Sequence, residues 1–106
     1  MASSIRTGSA AREGRLGRVD AFSVPGVELW FNSSDHLPPH FHASKRGEWE
    51  IRVFFLLCTE VHIEWSLKWK DRRRAVPRGA LAELRGQSVR FRAELLAERE
   101  AKVESR

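Results

Sequence analysis

Three of the chain's four histidines, a carboxylate and a proline pair fall within eight residues, Asp35-His36-Leu37-Pro38-Pro39-His40-Phe41-His42. Side chains of these types can hold a metal, move protons or brace a turn. For a metal, the informative pair is His40 and His42. Two apart on an extended chain, they share one face with Cα atoms ~6.6 Å apart. Two imidazoles so placed can converge on zinc or another divalent metal, which takes histidine nitrogen at ~2.0–2.1 Å in tetrahedral geometry. His36 or Asp35 would supply a third ligand and leave a position for water. Reach is the obstacle: as polyproline II, residues 36–40 would put His36 ~12 Å from His40. The Leu37-Pro38-Pro39 link must therefore bend, and a cis X–Pro bond is one way to do so.

Proton transfer without a metal is a second chemistry. Asp35 beside His36 and His40 could set an imidazole's tautomer. With Arg72, Arg73 and Arg74 holding phosphates, the group would form a ribonuclease-like site with nucleic acid as the partner. The plainest reading is structural: histidines beside a turn bond backbone groups or face water, and prolines stiffen the connection. An arginine run is ordinarily a solvated loop, and no aromatic-and-basic RNA-binding motif accompanies this one. His62, between Glu60 and Glu64, reads as solvated, and Cys58 has no neighbouring signal for reactivity. Trp49, Trp65 and Trp69 are core candidates before they are stacking platforms.

The elements that must position these residues are legible as alternation. Val27, Leu29 and Phe31 alternate with Glu28, Trp30 and Asn32, a strand of period two, and turn formers follow through Asp35. On the next strand Phe41 and Ala43 point one way, while His40, His42 and Ser44 point the other. From Trp49 to Trp69 the odd positions are predominantly apolar, a run too long for one ordinary strand, so a hairpin is expected. Keeping odd residues on one face sets Leu57 opposite Val61, with Cys58-Thr59-Glu60 as the loop. That loop lacks the glycine its left-handed position wants, so a five-residue loop or a bulge is the alternative. The even side turns apolar at Phe54 and Leu56 and asks for cover, by the helix or by a second copy in a homodimer.

Val19–Val24 is weakly strand-like before the Pro25-Gly26 turn signal. Pro77 suits the first turn of a helix whose stripe is Leu81, Leu84, Ser88, Phe91 and Leu95. Gly86 is a candidate kink or break, and Glu98–Lys102 a favourable i,i+4 pair. The expected fold is α+β: a small antiparallel sheet of three to five strands with a C-terminal helical segment packed on one face.

At 106 residues and 31% charged, the chain fits one soluble domain. No apolar run approaches the ~18 residues of a membrane span. A single cysteine excludes an internal disulfide framework and agrees with a cytoplasmic location. The net charge of +5 favours acidic partners. Residues 1–17, poor in apolar groups, read as a disordered leader, and 18–106 as the domain.

On the strand ending in Phe31-Asn32, and on the Asp-His-x-Pro-Pro-His-Phe-His core that follows, the chain resembles the bacterial domain-of-unknown-function 4160 family. The resemblance covers roughly Val19 to Val103, taking in the strand pair Trp49–Trp69, the proline-led helix at Pro77 and the acidic, leucine-containing Glu94-Leu95-Leu96. The hairpin here is longer and richer in tryptophan than the family pattern, and Met1 to Gly17 has no counterpart in it. The resemblance implies no settled activity. It does imply a partner, either a protein from a neighbouring gene in a toxin–antitoxin-type pair or an RNA target.

Overall fold

The computed structural model describes residues 15–32, 37–67 and 76–104. Five strands follow one another in space as in sequence, each antiparallel to the last: β1 (Arg15–Arg18), β2 (Glu28–Asn32), β3 (Phe41–Lys45), β4 (Trp49–Val53) and β5 (Trp65–Leu67). Two helices, α1 (Arg78–Arg90) and α2 (Arg92–Arg99), come next, and a π-helical turn over Glu100–Glu104 closes the described chain. This is the α+β arrangement that the alternation predicts, at the upper end of the expected strand count.

Parity decides which side of the sheet is core. Leu29 and Phe31 of β2, Phe41 and Ala43 of β3, and Trp49, Ile51 and Val53 of β4 are all buried with Leu84 of α1 and Leu95 of α2. The helices therefore cover the odd face. Phe41 sits at its centre, edge-on to Phe22 at 5.7 Å and stacked on Phe55 at 6.1 Å, and Phe22 in turn stacks on Phe91. The Pro25-Gly26 corner is a tight turn closed by Val27 N–H on the Val24 carbonyl. Gly26 there has φ +78°, a conformation that glycine reaches without steric cost.

Several expectations need correcting. The hairpin register is as parity requires, with Ile51 opposite Leu67 and Val53 opposite Trp65. The loop, however, is far longer than three residues. Pairing ends after Phe54 N–H meets the Glu64 carbonyl, and Phe55–Leu57 wind into a 3₁₀ turn. That turn drives Phe55 into the core, and Thr59 and His62 close the tip. Val61, expected inside, is 89% exposed there. Of the two even-side residues expected to need cover, Leu56 packs against the core, while Phe54 lies half-buried against His40 on the outer face.

At the two ends of the chain the elements also shift. The segment Val19–Val24 is no strand beyond its bridge to Val27, while β1 begins at Arg15, inside the stretch expected to be leader. Pro77 is the residue just before α1 rather than its first turn, and the helices part at Phe91, not at Gly86, which sits exposed within α1.

The last turns are clasped to the β1–β2 connection. Glu98 accepts the backbone N–H groups of Asp20 and Ala21 at 2.5 and 3.0 Å, and receives Lys102 Nζ at 2.7 Å. Lys102 also reaches the Arg18 carbonyl and Asp20 Oδ2. The bond from Lys102 holds the Asp20 carboxyl below the usual carboxylate range. For Lys102, burial pulls the ammonium down, but its bonds to Glu98 and Asp20 outweigh that and raise it. The signs follow from linkage. Asp20's contribution is complete above the ordinary carboxylate pKa and is lost as pH falls through its lowered value. That of Lys102 is complete below the ordinary lysine pKa and is lost as pH rises through its raised one. Thermal melts should therefore show Asp20→Asn destabilised at neutral pH, with the difference from the parent shrinking on acidification. A difference that persists unchanged at the acid limit would contradict the clasp.

Candidate functional site

His40 and His42 flank Phe41, so the same alternation that sinks Phe41 into the core turns both imidazoles to the opposite face. Even so, both are buried, at 5% and 2% exposure. Their rings meet edge-on at 5.2 Å. Trp30, directly across from His42 on β2, lies flat over its ring at 5.4 Å and 15°, and Phe54 leans on His40 at 5.1 Å. One row of that face runs across all five strands: Arg18, Trp30, His42, Arg52 and Ser66.

Hydrogen bonding assigns the tautomers. The Trp30 indole N–H can only donate, and it does so to Asn32 Oδ1 at 3.0 Å. That orients the amide, so Asn32 Nδ2 is the group facing His42 Nε2 at 3.2 Å and must donate to it. His42 Nε2 is thus an acceptor, and the neutral ring carries its proton on Nδ1. His40 reaches the same tautomer by another route. Its Nδ1 lies 3.0 Å from the Pro38 carbonyl, which only accepts, so Nδ1 holds the proton and the lone pair is on Nε2. The Pro38 carbonyl belongs to a bent corner in which the Leu37–Pro38 bond is cis, as the reach argument anticipates.

Asn32→Asp tests the relay. A carboxylate cannot donate, so His42 Nε2 would have to carry a proton to keep the contact. Nitrogen-15 spectra of the histidine side chains should show His42 Nε2 change from an acceptor to an N–H signature. An unchanged His42 would refute the assignment.

Of the sequence-derived site, the described residues are His40 and His42, whose rings are in contact. Asp35 and His36 lie outside the described residues, as do Arg72, Arg73 and Arg74. Among the described residues no group of three or more His, Cys, Asp or Glu side chains is arranged to hold a metal ion. His62 pairs with Glu64 at 2.8 Å on an exposed surface. Cys58 is buried with its thiol against the Phe54 carbonyl; burial raises its pKa, which keeps it a thiol. Trp30, Asn32 and Phe54 are the residues that the sequence reading missed. The signal was a tryptophan on the even side of β2, where a solvated strand face would carry something polar.

The described part of the chain thus defines an α+β sheet protein with a histidine corner on the face opposite its helices. No family model, curated protein or solved structure matches it significantly. Among the described residues no helix is long and apolar enough to cross a membrane.

Proposed function

We propose that this corner binds a divalent metal ion, zinc by the chemistry of the donors, with His40 Nε2 as a ligand. The observation that carries the reading is the bond from His40 Nδ1 to the Pro38 carbonyl. Histidines that ligate metals characteristically donate their other ring N–H to a carbonyl or carboxylate, which fixes the tautomer and orientation of the ring. His42 fits a different part. Its Nε2 is held by Asn32, so it supports His40 by ring contact instead of ligating. Asp35 and His36 are the proposed companions of His40, being the nearest donors along the chain after His42. A bound ion would supply a fixed positive charge and an open coordination position. The same proposal takes the chain as a member of the domain-of-unknown-function 4160 family, whose shared core coincides with the corner.

Metal analysis by mass spectrometry, on protein purified without a metal column, tests the proposal together with a zinc titration. About one equivalent of zinc per chain is expected. Protein that contains no bound metal and shows no affinity for added zinc would overturn it.

A further inference from the structure

The two margins of the sheet are built differently. On one side β1 runs Arg-Leu-Gly-Arg, and its pairing with β2 is bulged between Arg15 and Gly17. Charges and bulges are the means by which sheet edges avoid joining another chain. On the other side β5 has neither. Trp65-Ser66-Leu67 is uncharged, contains no proline and pairs with β4 in unbroken register. Both strands are short, four residues against three, so brevity does not distinguish them. Among the described residues β5 has a strand on one side only. Trp65 and Leu67 pack against the core, yet each is only half-buried.

The ladder with β4 shows which backbone groups are left over. Phe54 N–H bonds the Glu64 carbonyl, which makes these two a hydrogen-bonded pair. Antiparallel pairs alternate between bonded and non-bonded. Val53 with Trp65 is therefore non-bonded, Arg52 with Ser66 bonded, and Ile51 with Leu67 non-bonded. Ser66 thus directs its N–H and carbonyl to β4, while Trp65 and Leu67 turn theirs outward.

We propose that β5 pairs with β5 of a second copy of this chain, antiparallel about a two-fold axis at Ser66. In that register Trp65 lies opposite the partner's Leu67, and Leu67 opposite the partner's Trp65. Both are bonded pairs, so the four outward groups of each edge are satisfied together. An axis at Trp65 or at Leu67 would match only one residue of β5 in this way. The edge is thus its own complement, which is why the occupant is a second copy. No charge within either strand opposes its image. On the core face each indole meets a leucine across the axis, an apolar pair of the kind that stabilises sheets. The axis stands perpendicular to the sheet, so the helices of both copies lie on one side of ten continuous strands. The histidine corner is two strands away on β3, so either proposal can fail alone.

The test reads the mass of the full chain by light scattering as its concentration is raised, with amide hydrogen exchange on the same samples. The parent is expected to approach twice its 12.2 kDa. The Trp65 and Leu67 amides should gain protection with concentration, whereas Ser66, already bonded to β4, should not change. Ser66→Lys sets two ammonium groups opposite each other at the axis, where like charges repel. Ser66 is half-buried on the outer face, and its hydroxyl makes only a 3.5 Å contact with Arg52. The variant should therefore fold and stay at 12.2 kDa, and an equimolar mixture with Ser66→Glu should recover the dimer. Hydrogen exchange on the parent needs no substitution, so it decides the question should Ser66→Lys not fold. A parent that stays monomeric overturns the proposal and leaves the edge to a strand of another protein. So does a dimer whose Trp65 and Leu67 amides exchange no more slowly than in the monomer, or one that Ser66→Lys leaves intact.

Discussion

Phe41→Ala should destabilise the fold by about 3–5 kcal/mol, read as a lowered urea midpoint at an unchanged m-value. Phe41 is fully buried where β3 meets the helices, with Phe22 edge-on to one side of it and Phe55 stacked on another. Truncation leaves a cavity that the sheet cannot close, because Ala43 and Val53 beside it are held in register by the backbone ladder. Set against the ~5–15 kcal/mol that small domains possess, the loss brings this one near its folding limit. Phe41→Leu, which refills much of the space, should cost roughly 1–1.5 kcal/mol. A Phe41→Ala cost below about 1 kcal/mol would mean that β3 does not present this side to the core.

One residue earlier, the effect should reverse in kind. His40→Ala is expected to leave the fold standing, with the Pro38 hydrogen bond contributing about 1 kcal/mol. Zinc affinity, by contrast, should fall by more than ~100-fold, beyond what loss of an outer supporting residue costs. His42→Ala and Asn32→Ala act through His40's surroundings and should cost between ~10- and ~100-fold. The ranking carries the argument. Were His42→Ala the more damaging of the two histidine variants while both proteins stay folded, the ligand assignment would be inverted.

The alternation of the chain contains most of the sheet. Odd positions in β2 and β4, with Phe41 and Ala43 of β3, are apolar, and period two requires pairings that keep them on one face, as Val53 opposite Trp65 does. Alternation cannot report where a strand stops. Phe54 and Phe55 are good strand residues, and only the tertiary gain from placing Phe55 against Phe41 turns the chain aside. Val61 keeps the pattern yet lies at the exposed tip this creates. The helix break at Phe91 is similar, because its ring stacks on Phe22 from a residue without helical backbone. In the site, the opposite orientation of His40 and Phe41 is local and legible. The Trp30–Asn32–His42 relay depends on the β2–β3 pairing, so no single segment announces it.

Zinc titration of histidine-labelled protein, followed by nitrogen-15 side-chain spectra, addresses the central claim at the atom concerned. The account predicts that His40 Nε2 moves on metal addition while His40 Nδ1 keeps its proton on the Pro38 carbonyl, and that His42 Nε2 remains the acceptor from Asn32. A His40 ring that is silent to zinc, or a response confined to His42, would contradict it.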